Sequence, residues 1–324
     1  MTIATFLIAA TLAAACELPP RPIKALAIGL HRLEPDASYR DQVERARSLG
    51  ANAVCFTVPI DQNSVRDATV GGWRIPLATV ARALADARAA GIQTILLPYV
   101  KLAQVSDDEW RGTLQPPDWQ AWFASYDARL AELGRLAARE GVAVLAVGSE
   151  LCSSEKQVES WRGLIAQLRS VYPGRLTYSA NWDHLDEVAF AADLDLLGMN
   201  AYFELGDSED ADVDALVRAW APVKARVSAW AGRLGKPLFF TEVGYPSVRG
   251  GVRRPWDYTR AGGVDLAAQS RGYQAFLETW WGDPGVAGVV FYELWGEGGA
   301  DDAGYSPWAK PAAGVLRAFY AAPW

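Results

Sequence analysis

Two glutamates stand where an apolar run ends. In VAVLAVGSEL the run that begins at Val142 closes on Glu150, and in PLFFTEVGY the run that begins at Pro237 closes on Glu242 before Gly244 and Pro246 break it. A buried strand normally keeps charge out, because burying an unpaired carboxylate is costly. Carboxyl groups at the ends of two strands, facing one another, have a specific use. Held about 5–5.5 Å apart, one attacks an anomeric carbon while the other protonates the leaving oxygen and later activates water, the retaining route of glycoside cleavage. The acid of such a pair needs a raised proton affinity, which apolar surroundings and a neighbouring carboxylate supply. Taken singly, each glutamate reads equally well as a surface residue or an ion-pair partner; the pair is what favours chemistry.

Polar and aromatic groups follow other apolar runs. SANWDH carries Asn181, Trp182, Asp183 and His184, and GMNAYF carries Asn200 and Tyr202. Tyr202 could donate to one of the carboxylates, and Asn181 could hold a sugar hydroxyl. FYELWGEGG supplies Glu293, Trp295 and Glu297, with the indole of Trp295 as a floor for a sugar ring. The loop VRGGVRRPWDY, with Arg253, Arg254, Pro255 and Trp256, could wall one end of a cleft, while His31, Asp61, Gln62, Asn63 and Lys101 follow the first three runs. Each also has a plain structural reading: a satisfied buried tyrosine, a core tryptophan, a solvated loop.

The bulk composition narrows the field. A net charge of -7 argues against a nucleic-acid partner, which would require a basic face. With His31 and His184 as the only histidines, a multi-histidine metal centre is hard to build, so no metal or cofactor is expected and the chemistry falls to carboxylates. VGSEL lacks the glycine pattern of a serine nucleophile elbow. The acidic run GDSEDADVD lacks the spacing of a calcium loop and suits the start of the helix after it. Fourteen tryptophans offer stacking surfaces as well as core bulk.

These groups must be positioned by the elements between them. From Lys24 the chain alternates short β-rich runs with longer amphipathic ones. The short runs are KALAIGL, NAVCFTV, IQTILLPY, VAVLAVGS, RLTYSA, LDLLGMNA, PLFFTE and VAGVVFYE, which predicts a parallel sheet covered by helices. Gly50, Gly91, Gly141, Gly174 and Gly235 fall where helices should end in a left-handed cap. No long linker interrupts the series and no glycine-rich fingerprint follows the first run, so the expectation is an α/β fold, a single (β/α)8 TIM barrel over residues 21–324. In that fold the carboxyl ends of all strands meet at one mouth, which would bring Glu150 and Glu242 together.

Residues 1–20 read as an export leader, apolar from Ile3 to Ala15 and ending near ELPPRP. The small residues before Cys16 resemble the lipobox of bacterial lipoproteins, so the expected location is the cell envelope or the exterior, with membrane attachment only through a lipid on Cys16.

At these residues the chain resembles glycoside hydrolase family 113. The resemblance rests on WFASYDARLAELGRLA, on VGSEL with ESWRGLIAQLRSVYPGRLTYSANW, on LDLLGMNAYF, on KPLFFTEVGYPS followed by RPWDY, and on YSPWAKPA. It implies a (β/α)8 barrel with the acid/base at Glu150, the nucleophile at Glu242, and Tyr202 bonded to the nucleophile. Many relatives in the wider clan have Asn before the acid/base; here it is Ser149, as in family 113 itself. Tyr292 and Glu293 stand in the eighth-strand motif, which in relatives is rich in tryptophan. The implied substrate is β-1,4-mannan or manno-oligosaccharides. A barrel that binds glycan without cleaving it, and a transglycosylase, are the alternatives.

Overall fold

A computed structural model describes residues 22–206, 208–259 and 262–324; the leader and Cys16 lie outside the described residues. Eight parallel strands alternate with helices in the order β1 (Ile23–Gly29), α1 (Arg40–Ser48), β2 (Ala53–Gln62), α2 (Leu77–Ala89), β3 (Gln93–Leu102), α3 (Trp119–Glu140), β4 (Val144–Ser149), α4 (Val158–Val171), β5 (Arg175–Ser179), β6 (Leu197–Asn200), α5 (Val213–Leu234), β7 (Leu238–Val243), α6 (Leu266–Trp280), β8 (Val286–Phe291) and α7 (Pro311–Ala321). The sheet runs β5-β4-β3-β2-β1-β8-β7-β6. Its two ends meet through Ala180, whose N–H donates to the Gly198 carbonyl at 3.2 Å and whose carbonyl accepts from Asn200 N–H at 2.9 Å. The result is the expected (β/α)8 barrel, nearly closed.

The period of two along each strand sorts side chains into two cores. Ala25, Ala27, Ala53, Cys55, Ile95, Leu97, Val144, Ala146, Phe239 and Val290 fill the barrel interior. Leu26, Ile28, Val54, Phe56, Leu145, Val147 and Phe240 point outward and join the helices in a larger layer. Alanines supply most of the inner positions of β1 and β2.

Two expectations change. The connection from β5 to β6 is not an α-helix but two short 3-10 turns, Leu185–Glu187 and Ala189–Asp193. Phe190 from the second stacks on Trp161 of α4 with centroids 4.8 Å apart, covering the barrel where a helix would otherwise lie. The glycines after α1, α2, α3 and α5 do adopt positive φ, as at Gly141 with 70°. Gly174 does not: α4 ends at Tyr172 in an extended conformation that Pro173 favours, and a side chain on Gly174 would strike the Tyr172 ring.

Candidate active site

Glu150 follows β4 directly. Inner positions of β4 are Val144 and Ala146; between Ala146 and Ser149 the register against β5 shifts, and Glu150 leaves the strand past that irregularity. Its φ of 56° is in the left-handed region that non-glycine residues rarely adopt. The turn is held by Glu150 N–H donating to the Ser179 carbonyl at 2.9 Å and Leu151 N–H donating to the Tyr178 hydroxyl at 2.9 Å. Both carboxylate oxygens are occupied. Arg111 Nη1 donates to Oε2 at 2.5 Å, and Asn200 Nδ2 donates to Oε1. Asn200 is fixed in turn, donating to Asn181 Oδ1 at 3.1 Å and accepting from Trp182 N–H at 2.8 Å.

Glu242 likewise lies at an irregularity of its strand. Phe240 and Val243 both pack in the outer layer, an odd separation that simple alternation forbids. The extra residue sits in a register irregularity of β7 against β8, matched by another where β6 meets β7 at Asn200. Such bulges re-aim side chains next to active sites. Thr241 points inward to Ser179, with the hydroxyls 2.7 Å apart, and Glu242 turns into the mouth as well. There the Tyr202 hydroxyl donates to Oε2 at 2.9 Å. Burial, and next the charge of Glu150, push the Glu242 carboxyl up to about 8, while Arg111 and the Tyr202 hydrogen bond oppose the shift. The two glutamates therefore meet electrostatically, with Arg111 facing both.

A cleft of about 320 Å³ opens beside them, lined by Gly29, His31, Tyr99, Lys101, Glu293 and Trp295 among others. Trp295 is 51% exposed and its ring lies 4.5 Å from that of His31. Glu293 lies deeper; burial raises its carboxyl to about 7 against a hydrogen bond from Tyr292. Tyr99 lies under the Arg111 guanidinium at 5.2 Å, so one arginine ties the cleft wall to Glu150.

The mouth thus gathers Glu150, Glu242, Asn181, Asn200 and Tyr202, with Trp295 in the adjoining cleft. Other candidates make contacts of their own. The Trp182 ring packs on Phe203 at 5.5 Å, and its backbone N–H holds Asn200. Trp256 is an exposed ring on the turn after β7. Gln62 is buried and accepts from Trp122 Nε1 at 2.9 Å, Asp61 pairs with Arg74 at 2.8 Å, and Glu297 pairs with Arg45 at 2.6 Å, all structural contacts. Asp212, from the acidic run, caps α5 by accepting from Ala215 N–H at 2.8 Å. Arg111, absent from the sequence-based candidates, sits in a short 3-10 turn, Arg111–Thr113, between β3 and α3, and carries no motif that would mark it.

Residues 39–302 match glycoside hydrolase family 113. No curated protein matches the chain in sequence. Among solved structures, a complex of a family 113 β-1,4-mannanase superposes with a TM-score of 0.83 at 23% identity, covering 93% of this chain and 99% of that one. A family 113 β-mannanase from Alicyclobacillus acidocaldarius, in complex with ManMIm, gives 0.81 at 26% identity over 95% and 99% of the two chains. A family 5 mannosidase from Rhizomucor miehei shares the fold at a TM-score of 0.69 and 10% identity, covering 93% of each chain. With the family matched over most of its length and the barrel superposing end to end, this chain belongs to glycoside hydrolase family 113 and is a glycoside hydrolase.

Proposed function

We propose that the protein is a retaining β-mannan hydrolase in which Glu242 is the nucleophile and Glu150 the acid/base. The observation that carries the reading is the convergence of the two carboxyl groups at the barrel mouth, with the Tyr202 hydroxyl donating to Glu242. In the first half-reaction a Glu242 oxygen attacks the anomeric carbon as its bond to the leaving oxygen breaks, and Glu150 gives that oxygen a proton. In the second, Glu150 takes a proton from water, whose oxygen displaces Glu242 with net retention. Asn200 and Arg111 orient the Glu150 carboxyl, and Trp295 offers its exposed face to a neighbouring sugar ring.

The burial that raises Glu242 opposes its use as a nucleophile. Positive charge developing at the anomeric carbon favours the ionised form in the transition state. Mannan as substrate is supported by the β-mannanases among the structural neighbours. Export, with attachment through Cys16, completes the reading and would place the enzyme where polysaccharide is met.

The test is product analysis by mass spectrometry and NMR on protein incubated with mannan, glucomannan, cello-oligosaccharides and xylan. Newly released ends in the β configuration, from mannan before the others, are expected. Products of α configuration would overturn the retaining mechanism, and cleavage of xylan or cello-oligosaccharides alone would overturn the substrate.

A further inference from the structure

Just past Glu150 in the chain begins a cluster that the proposed hydrolysis does not use. β4 is followed by a one-turn 3-10 helix, Cys152–Ser154, and then Glu155; the loop after β5 brings in His184. One ligand atom from each of Cys152, Glu155 and His184 falls within 4.8 Å of the others, and His184 Nδ1 is 3.3 Å from Glu155 Oε2. A tetrahedral centre with bonds of about 2.0–2.3 Å sets its ligand atoms roughly 3.3–3.8 Å apart. The His184–Glu155 pair already has that spacing, and the thiol has only a short way to close.

We propose that Cys152, Glu155 and His184 form a binding site for a thiophilic divalent cation, Zn2+ in preference to Ca2+ or Mg2+, which braces the loop that carries Glu150. The donor set of one sulfur, one imidazole nitrogen and one carboxylate oxygen suits zinc; calcium and magnesium require oxygen ligands throughout. The second shell is in place. The Tyr178 hydroxyl donates to the other Glu155 oxygen, Oε1, at 2.8 Å while accepting Leu151 N–H, so the carboxylate is oriented by the residue that also holds the Glu150 turn.

The surrounding charge points the same way. Glu155 is 1% exposed, and the charges nearest Cys152 are those of Glu155, Glu150 and Asp183, all negative. A divalent cation would be held by this negative field, and its binding would release the thiol proton to solvent. The His184 side chain is 38% exposed, which gives the ion a path in and leaves a fourth position for water. A cation here would link Cys152, two residues past Glu150, to His184, three residues past Asn181.

The full chain, stripped with a chelator, is titrated with Zn2+, Ca2+ or Mg2+ against a chromophoric competitor, and with Co2+ while the near-ultraviolet thiolate-to-cobalt band is recorded. One equivalent of Zn2+ is expected, with the cobalt band present, affinity rising with pH, and no competition from Ca2+ or Mg2+. Cys152→Ser should abolish the band, and His184→Ala should weaken zinc by about 10–100-fold or more. Failure of the unmodified chain to bind Zn2+, or binding unchanged in both variants, would overturn the site and leave the cluster as a hydrogen-bonded His–Glu–Tyr relay beside a neutral thiol. None of these readouts involves hydrolysis, so the result is independent of the substrate assignment.

Discussion

Glu150 and Glu242 are the same residue type at the same end of the same barrel, yet their surroundings are opposite. Glu150 has a guanidinium on one oxygen and an amide on the other, and it stands on a left-handed turn. Glu242 has one tyrosine hydroxyl, buried walls and a like charge nearby, and its proton affinity is raised to match. The difference teaches that location at a strand end does not set a carboxyl's proton affinity; the donors and charges around it do.

Four substitutions break or sharpen that contrast. The largest effect is expected for Glu242→Gly, with hydrolysis falling by more than the roughly 10²–10⁴-fold typical of lost acid–base help. Added azide should restore turnover as an α-glycosyl azide, detected by NMR; turnover near the unmodified rate, or azide without effect on product, would reverse the assignment. Next comes Glu150→Gln, for which a loss of about 10²–10⁴-fold is expected on oligosaccharides. Aryl glycosides with good leaving groups should lose far less in the glycosylation step, as steady-state and burst kinetics on the two substrate classes would reveal.

Tyr202→Phe removes a hydrogen bond to a charged group, a contribution of about 1.5–3 kcal/mol, and so should lower kcat/KM roughly tenfold to a hundredfold. The smallest and most diagnostic change is Arg111→Met. Arg111 favours the ionised form of Glu242, whose carboxyl is raised to about 8 even with that help. A nucleophile must be ionised, so kcat/KM should rise with pH through that region, and loss of the arginine should carry the rising limb to higher pH. A pH–rate profile measured for both proteins checks the sign; a rising limb left in place would show that Arg111 serves only to hold Glu150.

Much of this was legible in the sequence, for identifiable reasons. The eight β-rich runs became the eight strands because alternation and length are local properties. Gly141 and Gly235 became left-handed caps because only glycine takes that conformation without cost. Gly174 did not, because the neighbouring Pro173 dictated the helix end first. Tyr202 was legible through its motif, and its partner is Glu242. Arg111 was not legible, since an arginine in DEWRGT looks like any solvated loop residue until β3 carries it over Tyr99 to Glu150. Trp182 was legible as a residue near the mouth but not as the backbone donor that holds Asn200.

The sequence by itself determined the barrel, the strand ends on which the two glutamates stand, and the family, because those rest on periodicity and on motifs contiguous in the chain. Only the tertiary structure decided where each carboxyl points and what it meets. The bulge that swings Glu242 inward is set by pairing with β6 and β8, and the arginine on Glu150 arrives from 39 residues away. Proton affinity follows burial and neighbouring charge, and both are fixed in space between segments that the chain does not join directly.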